Sequence, residues 1–293
     1  MYLKKREIDV VVLDSLERSS KRALRMLDYH NVPIFRGDIR KTIDVKKAID
    51  KCDAVIHCAA YIDVEESMRK PLIYIDNNVL GTTVIGKVAV DSGIKHIIYL
   101  SSAAVYGNPI KLPISENHPI NPLSPYGLSK FLGEEILKFF SKQYGIVVTI
   151  LRLFNVYGPG QTGTYAGVIT KFIEKARNKL PLVIYGDGEQ TRDFVHVLDV
   201  SKAVENVLNL RTEGIFNIGS GKAITINRLA QIIMQLARLD KEPIYEPPRP
   251  GDIRHSVADI SKAKRLLNYN PSIPLERGLK MLLESTPDEN RNY

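Results

Sequence analysis

The fold is decided by the stretch Ile97-Ile98-Tyr99-Leu100-Ser101-Ser102. Its first four residues are large and apolar without alternation, which is typical of a strand that is buried on both faces of a parallel sheet. Four other runs share this character and are predicted to be strands as well: residues 8–13, 32–35, 54–57 and 146–151. The two serines then lie at the carboxyl end of a strand, which is the edge of a parallel sheet where ligands bind.

Helical segments lie between these strands. The two longest cover residues 71–92 and 124–144, and each is followed by a glycine, Gly93 or Gly145, where the C-terminal cap of a helix belongs. Strands that alternate with helices imply right-handed βαβ units. The sequence therefore predicts an α/β fold with a doubly wound parallel sheet.

The pattern changes after about residue 155. Glycine and proline interrupt the chain repeatedly, as in Gly158-Pro159-Gly160 and Gly186-Asp187-Gly188. Shorter helical segments follow at residues 171–178, 200–210, 226–239 and 260–267. These features predict a first domain over residues 1–155 and a smaller, irregular α/β domain over residues 156–293, some of whose segments return to the first domain.

Composition narrows the classes of protein to consider. The 293 residues include 41 Lys and Arg against 33 Asp and Glu, which gives a net charge of +8. The basic residues are dispersed, and no zinc knuckle or RNA-binding aromatic motif accompanies them, so we favour a phosphorylated small molecule over nucleic acid. Cys52 and Cys58 do not have the spacing of metal ligands, so neither a metal site nor a disulfide framework is expected.

The sequence also predicts the cellular compartment of the protein. No apolar run approaches the ~18 residues that are needed to cross a bilayer. Residues 1–7 carry no apolar segment of the kind found in a signal peptide. We therefore expect a protein of the reducing cytoplasm without a membrane partner.

A candidate catalytic pair lies on the helix predicted over residues 124–144. Tyr126 and Lys130 are four residues apart and share one face of that helix. An ammonium beside a phenol would lower the pKa of the phenol from its ordinary value of about 10 and make it a base at neutral pH. Such a pair is common by chance, but Ser102 at the preceding strand end could bond the same substrate hydroxyl. We predict that these three residues are catalytic and face a bound dinucleotide.

Carboxylates follow the first two predicted strands. Asp14 comes directly after the first, where an acid can accept hydrogen bonds from an adenosine ribose and repel a 2′-phosphate. A turn or helix-cap aspartate explains Asp14 alone equally well. Asp38 and Ile39 follow the second strand, where a carboxylate and backbone could face an adenine edge. Cys58, in His57-Cys58-Ala59-Ala60, is expected to pack near the cofactor without reacting.

Three side chains could hold a diphosphate: Asn155, Arg192 and Arg249. Arginine suits phosphate oxygens because its donors are planar and paired. Taken singly, each of the three is explained as well by a surface or structural role. His196 is expected to be structural, because no catalytic partner lies near it in the sequence.

These residues lie in motifs that resemble those of the extended short-chain dehydrogenase/reductase family, in particular nucleotide-sugar epimerases of the UDP-glucose 4-epimerase type. The matching stretches are Val12-Leu13-Asp14-Ser15-Leu16, Gly37-Asp38-Ile39-Arg40, His57-Cys58-Ala59-Ala60, Ser101-Ser102-Ala103-Ala104-Val105-Tyr106-Gly107, Ser124-Pro125-Tyr126-Gly127-Leu128-Ser129-Lys130, Leu151-Arg152-Leu153-Phe154-Asn155-Val156-Tyr157-Gly158-Pro159, residues 186–196 and Arg249-Pro250-Gly251-Asp252. The resemblance covers essentially the whole chain. It implies a Rossmann-type dinucleotide-binding domain over residues 1–155 and a nucleotide-sugar domain over residues 156–293.

By this resemblance, NAD stays bound through the reaction. Tyr126 would remove the proton of the sugar 4-hydroxyl while hydride leaves C4, and the 4-keto sugar would turn and take the hydride back on its other face. The residues implied for the cofactor are Asp14, Asp38, Ile39, Cys58, Ala59, Ala60, Asn78, Tyr126 and Lys130. Those implied for the UDP-sugar are Ser102, Asn155, Arg192, Arg249, Asp252 and Ser256.

The resemblance also has implications for the range of substrates and for the oligomeric state. Ser256 matches the position where the family sets the room beside the sugar C2 substituent, and a small residue there leaves space for an N-acetyl group. We therefore expect N-acetyl UDP-sugars to be accepted beside UDP-glucose and UDP-galactose, although Ser256 is almost equally well explained as a plain loop serine. Family members are often homodimers that pack through two long helices, which here would be residues 71–92 and 124–144.

Two departures from the family pattern concern Ile62 and the amino end. Many bacterial hexose epimerases have a lysine where this chain has Ile62. The family opens with a strand and a GxxGxxG turn that binds pyrophosphate, and no such motif occurs here. The sheet would then lack its central strand and leave unpaired backbone between the strands at residues 10–13 and 54–57. We expect the natural chain to carry roughly one more strand, a turn and half a helix upstream.

Other activities stay open. UDP-glucuronate 4-epimerase is one. Nucleotide-sugar dehydratases and decarboxylases are others, but they usually carry an acid just after the strand-end serine or threonine, whereas this chain has Ala103 and Ala104. From a different class, some proteins of this fold are non-catalytic NAD-binding sensors or RNA-binding modules, which commonly lose the Tyr-Lys pair that this chain retains. The residues therefore favour an epimerase.

Overall fold

The computed structural model describes residues 2–161, 167–248 and 253–284. The strands are β1 (Val12–Asp14), β2 (Ile34–Arg36), β3 (Ala54–His57), β4 (His96–Ser102), β5 (Val147–Leu153), β6 (Asn155–Tyr157), β7 (Val183–Tyr185), β8 (Thr191–His196), β9 (Gly214–Ile218), β10 (Ala223–Thr225) and β11 (Ile244–Glu246). The α-helices are α1 (Lys21–Tyr29), α2 (Thr42–Ile49), α3 (Val64–Arg69), α4 (Pro71–Tyr74), α5 (Gly81–Asp91), α6 (Pro125–Tyr144), α7 (Val168–Arg177), α8 (Val197–Leu210), α9 (Ile226–Ala237), α10 (Ser261–Leu267) and α11 (Leu275–Glu284).

Four parallel strands form the main sheet, in the order β3-β4-β5-β9. Ile97 and Ile98 of β4 are completely buried, and they belong to two different apolar clusters because successive side chains point to opposite faces. The cluster around Ile97 includes Leu137 of α6, and the cluster around Ile98 includes Val204 of α8. Helices therefore cover both faces, and the predicted α/β class with a parallel sheet is confirmed.

The first two strands form a separate parallel pair, β1 with β2. The predicted first strand began too early, at residue 8, because pairing with β2 starts only at Val12, opposite Ile34. Within the described ranges, β1 does not pair with β3. The β1–β2 pair is therefore a sheet separate from the one that contains β3, and α2 packs against both of its members.

The two long predicted helices differ in regularity. α6 is continuous, begins after Ser124, whose Oγ accepts a hydrogen bond from Gly127 N at 3.1 Å, and ends at Gly145 in a left-handed conformation (φ 68°). The segment predicted as one helix over residues 71–92 is divided, because a wider π-helical turn at Ile75–Leu80 separates α4 from α5. The interruption turns Asn78 into the protein interior.

The later part of the chain has its own small core. Helices α7, α9 and α11 pack together through an apolar cluster that includes Phe172, Leu229 and Leu279. Beside them lie a three-stranded sheet of order β10-β8-β6 and the parallel pair β11-β7. β9 instead joins the main sheet, so the boundary near residue 155 stays a prediction. No helix in the described ranges is long and apolar enough to cross a membrane.

Candidate active site

Ser102 is the last residue of β4 and lies at the carboxyl end of the main sheet. Its Oγ accepts a hydrogen bond from Ala104 N at 3.1 Å and caps a short 3₁₀ turn at Ala103–Val105. Ser102 pairs in register with Leu153 of β5, and Asn155 follows two residues later on β6. The strand register therefore places Ser102 and Asn155 at the same edge.

The helix α6 brings Tyr126 to this edge. Its first turn approaches the turn after Ser102 closely because residue 127 is glycine, and a Cβ there would lie 2.7 Å from the Ala104 carbonyl oxygen. Gly133 has the same effect farther along, since a Cβ there would collide with the hydroxyl of Tyr99 on β4. The side chain of Ser102 lies close enough to Tyr126 to lower the pKa of its phenol, so two of the three predicted catalytic groups are neighbours.

The proton affinities at the site differ from the sequence prediction. Burial raises the pKa of Tyr126 above its ordinary value, and the neighbouring side chain of Ser102 opposes that rise. The ammonium of Lys130 lies over the ring of Tyr99, with Nζ 4.2 Å from the ring centroid. Burial of Lys130, which is 2% exposed, lowers the pKa of its ammonium to about 8. The net shift of the Tyr126 pKa is thus a rise, whereas the sequence predicted a lowering by Lys130.

Cys58, Ala59 and Ala60 follow β3 and form a wall of the site near Lys130. His57 is buried, its Nε2 is 2.8 Å from Thr82 Oγ1, and burial together with the charge of Lys130 lowers the pKa of its ring to about 3. Cys58 and Ala59 are exposed at the wall, yet the surrounding protein raises the pKa of the Cys58 thiol to about 11. A thiol with such a pKa is a poor nucleophile at neutral pH, as expected for a group that only packs.

Asn78 holds this wall against α6. Its Oδ1 accepts a hydrogen bond from Tyr61 N at 2.8 Å. Its Nδ2 donates to Tyr61 O and to Ser129 Oγ, both at 2.9 Å. These two bonds use both hydrogens of the amide. Donation of a hydrogen bond from Asn78 to a cofactor would require one of them to break.

The predicted adenosine end of the site shows two different carboxylates. Asp14 Oδ1 accepts from Leu16 N at 2.7 Å and from Ser19 Oγ at 2.8 Å, whereas its Oδ2 accepts no bond from the described residues. Both oxygens of Asp38 are bonded to the guanidinium of Arg40, which lowers the pKa of that carboxyl. Asp14 therefore retains an acceptor for a ligand, and Asp38 is already paired.

Ile39 and Ala60 complete the predicted cofactor contacts. The side chain of Ile39 is 7% exposed and packs in the core, so only its backbone can face a ligand. Ala60 is half-buried at the end of the wall formed by Cys58 and Ala59. The wall is thus made of small side chains, which leave room for a flat ring system.

Two of the predicted substrate residues donate hydrogen bonds to the same backbone carbonyl oxygen. Arg192 Nη1 donates to Thr191 O at 2.8 Å, and the same oxygen accepts a hydrogen bond from Ser256 N at 3.2 Å. Ser256 is 8% exposed. The structure therefore places Arg192 and Ser256 side by side.

The remaining substrate residues lie on β6 or outside the described part of the chain. Asn155 is exposed and pairs with Phe194, two residues beyond Arg192 on β8. Arg249 and Asp252 lie outside the described residues. Arg192, Ser256 and Asn155 thus lie on or beside β8, and their role in binding a UDP-sugar stays a prediction.

His196 has the structural role that was expected. Its Nδ1 accepts a hydrogen bond from Leu198 N at 3.2 Å and caps α8, and its ring packs edge-on against Tyr157. Within the described ranges, no group of side chains is arranged to hold a metal ion.

Two further residues at the site were missed from the sequence. Tyr74 meets the ring of Tyr126 edge-on, with centroids 6.5 Å apart, and its hydroxyl donates to Glu66 at 2.9 Å. Glu134 is completely buried one turn after Lys130 on α6. The four-residue spacing from Lys130 was a usable signal for Glu134. Tyr74 had none, because its contact forms between two separate helices.

Comparison with known proteins agrees with this geometry. The model of the NAD dependent epimerase/dehydratase family matches residues 1–219. A Methanocaldococcus jannaschii protein, provisionally named UDP-glucose 4-epimerase, is 43% identical over 286 residues, which cover 97% of this chain and 92% of the relative.

Two solved structures are similar throughout. The crystal structure of a Thermotoga maritima UDP-glucose 4-epimerase with UDP-glucose has a TM-score of 0.90 and 35% identity, covering 96% of this chain and 92% of that chain. A UDP-N-acetylglucosamine 4-epimerase from Methanobrevibacter ruminantium, in complex with UDP-N-acetylmuramic acid, has a TM-score of 0.90 and 36% identity, covering 94% and 89%. The fold of the whole described chain is therefore that of nucleotide-sugar epimerases.

Proposed function

We propose that this chain, which belongs to the NAD dependent epimerase/dehydratase family, interconverts the C4 epimers of a UDP-sugar. Family membership confirms the predicted resemblance, the enzyme class and NAD as the cofactor. We further propose that the substrates are UDP-glucose and UDP-galactose and that their N-acetyl forms are accepted as well.

The position of Tyr126 beside Ser102, at the carboxyl edge of the main sheet, carries this proposal. Two hydroxyls held in this way can bond a single substrate oxygen and take its proton. The adjacent Ala103 and Ala104 carry no acid. Dehydration and decarboxylation need a further acid or base near the sugar, so the site favours a reaction that begins and ends at one carbon.

Tyr126 takes the proton of the sugar 4-hydroxyl in this proposal, and Ser102 bonds the same oxygen. NAD, when bound, would supply the hydride acceptor and donor at C4. Because burial raises the pKa of Tyr126, this base needs a positive charge nearby to work close to neutral pH. Lys130 supplies such a charge below its pKa of about 8.

The residues that line the carboxyl ends of β1, β3 and β4 fit NAD. Asp14 would accept a hydrogen bond from a ribose hydroxyl through its Oδ2, which accepts no bond from the described residues. The small wall at Cys58, Ala59 and Ala60 would pack against a flat ring. Lys130 would bond the nicotinamide ribose. Asp38 and Ile39 would contribute through their backbone, because the side chain of one is paired and that of the other is buried.

The UDP group would bind on the β6–β8 side. Asn155 and Arg192 supply donors there, and a guanidinium matches the paired oxygens of a diphosphate. The sequence assigns Arg249 and Asp252 to the same ligand. Ser256, next to Arg192, would border the sugar at its C2 substituent, where a small side chain leaves space for an N-acetyl group.

We place the enzyme in the cytoplasm as a homodimer. Leu72 on α4 and Phe139 on α6 are large apolar residues that are 80% and 56% exposed, and they lie on the two helical segments that were predicted to form the interface. Burying such side chains between two copies would be favourable. Sedimentation of the purified protein should give a dimer, and Phe139→Glu should shift it to a monomer.

An assay of product epimers tests the proposed activity. The purified protein with added NAD is incubated separately with UDP-glucose, UDP-GlcNAc and UDP-glucuronate, and the products are separated. We expect UDP-galactose from the first and UDP-GalNAc from the second. Turnover of UDP-glucuronate alone would replace the proposal with a glucuronate epimerase, and no epimer from any of the three would overturn it.

A further inference from the structure

A buried ion pair lies directly behind the catalytic groups. Glu134 is 0% exposed and Arg152 is 2% exposed. Arg152 Nη2 donates to Glu134 Oε2 at 2.6 Å, and Arg152 Nε donates to Glu134 Oε1 at 3.0 Å. Two charges out of contact with water are stable only when their geometry is good and their remaining hydrogen bonds are satisfied.

Both partners are bonded further, each to a different strand. Ser101 Oγ on β4 donates to Glu134 Oε1 at 2.5 Å. Arg152 Nη1 donates to Tyr106 Oη at 3.0 Å, and Tyr106 Oη donates to Asn217 Oδ1 on β9 at 2.7 Å. These side chains therefore tie α6 to three neighbouring strands of the main sheet, which are β4, β5 and β9.

The same side chains adjoin the reacting groups on two elements. Ser101 directly precedes Ser102 on β4, and Glu134 follows Lys130 by one turn of α6. Adjacent residues of a strand point to opposite faces, so Ser101 reaches the body of α6 while Ser102 is left to face the site. A single carboxylate thus connects the strand that carries the serine to the helix that carries the tyrosine and the lysine.

We propose that Glu134 is a positioning residue: held by Arg152 and Ser101, it fixes the Ser102 end of β4 at the separation from α6 that proton transfer through Tyr126 requires. The inference rests on the proposed function, because it takes Ser102, Tyr126 and Lys130 as the reacting groups. Glu134 is completely buried, so it acts through these neighbours.

The charge of Glu134 also bears on Lys130. The groups that face the lysine are Tyr99 of β4, His57 and Cys58 at the end of β3, and Tyr126 and Glu134 of its own helix. The Glu134 carboxylate favours the ammonium and opposes the burial that lowers the pKa of Lys130 to about 8. Without that charge, the pKa of Lys130 falls further. The alkaline limb of the pH–rate profile should therefore move to lower pH.

The test compares two neighbouring glutamates on α6. Glu134→Gln keeps the shape of the side chain and removes its charge. Glu135→Gln changes a half-exposed glutamate that is paired with Lys138, and it is the matched control. In the holoenzyme we expect Glu134→Gln to lower kcat about tenfold to a hundredfold, as a small displacement of reacting groups does, with little change in KM.

A second readout follows Lys130 directly. The pKa of its ammonium can be measured by NMR with ¹³C-labelled lysine, and the signal can be assigned with Lys130→Arg. We expect Glu134→Gln to lower both this pKa and the pH of the alkaline limb, and Glu135→Gln to leave both unchanged.

Two gentler variants keep the test decisive if Glu134→Gln does not fold. Ser101→Ala removes one bond to the carboxylate and should lower kcat by a smaller factor. Glu134→Met combined with Arg152→Leu removes both charges together, avoids an unpaired buried charge, and should fold while losing kcat as Glu134→Gln does.

A folded Glu134→Gln enzyme with an unchanged kcat, alkaline limb and Lys130 pKa would overturn the inference. Full activity of the double variant would do the same. If instead Tyr126→Phe kept its turnover, the proposed function would fail, because that substitution leaves Glu134 and all its partners in place.

Discussion

Two regions of the molecule hold their polar groups in opposite ways. At the catalytic edge, Glu134 and Asn78 are 0% and 1% exposed, and their hydrogen-bond partners belong to the chain itself. On the side of β6 and β8, Asn155 is exposed, and the side chains of the ion pair Asp187–Arg254 are 56% and 53% exposed. The polar groups at the catalytic edge are therefore held by the chain itself, whereas these groups on the other side stay in contact with water. Substitutions at the first region should change rate or stability, and those at the second should change selectivity.

Tyr126→Phe should have the largest effect. It removes the proton acceptor and leaves the ring contact with Tyr74, so epimerisation should fall by about 10²–10⁴-fold while the fold persists. Tyr144→Phe alters an exposed tyrosine at the other end of α6 and serves as the control. Turnover by Tyr126→Phe at the rate of the control would remove the tyrosine from its role.

His57 should make the catalytic edge sensitive to acid. Burial lowers the pKa of its ring to about 3 from an ordinary value of 6.5. The unfolded chain therefore binds a proton that the folded chain does not, so stability is complete above pH 6.5 and is lost as the pH falls toward 3. The loss is at most about 1.4 kcal/mol per pH unit for one such group.

The effect can be measured by denaturant unfolding between pH 7 and pH 5, with His57→Gln as the comparison. Burial also lowers the pKa of His96 and His196, so a slope should remain in the variant, smaller by one proton. An identical slope in both proteins would show that the neutral His57 ring does not contribute.

The sequence could predict the regular strands of the main sheet and the edge at which they end. The apolar runs at residues 97–100 and 146–151 predicted β4 and β5, because a strand that is buried on both faces is apolar at nearly every position. Ser102 and Tyr126 could be expected to meet, because the helix that follows a parallel strand begins at the carboxyl edge of the sheet, where that strand ends.

What the sequence did not predict depends on contacts between distant segments. The π-helical turn at Ile75–Leu80 coincides with bonds from Asn78 to Tyr61 and Ser129, which are 17 and 51 residues away. The contact of Lys130 with the ring of Tyr99 depends on how α6 packs against β4. Spacing within the helix showed that Tyr126 and Lys130 share a face, but it could not show which aromatic ring the ammonium would approach.

Asp14 should set the choice of cofactor. A 2′-phosphate beside its carboxylate is repelled, so NAD should bind better than NADP. Asp14→Ala should narrow that preference by about tenfold, since one charge contact near a surface is worth on the order of 1 kcal/mol. Titration of both cofactors checks this, with the exposed Asp28→Ala as the control. Equal binding of the two cofactors by the unmodified enzyme would contradict it.

Ser256 should have the smallest effect, on selectivity alone. Ser256→Tyr fills the space beside Arg192, so the kcat/KM for UDP-GlcNAc should fall about tenfold or more while that for UDP-glucose changes little. The ratio of the two values is the measurement. An unchanged ratio, or strict rejection of N-acetyl sugars by the unmodified enzyme, would show that Ser256 does not border the sugar.

The central claim is that the hydroxyl proton and the C4 hydrogen leave the sugar separately, the proton to Tyr126 and the hydrogen as hydride. A UDP-glucose labelled with deuterium at C4, turned over by the holoenzyme in ordinary water, tests this most directly. The account predicts that the UDP-galactose formed keeps its deuterium at C4, because a transferred hydride does not exchange with solvent. Replacement of that deuterium by hydrogen from water would contradict the account.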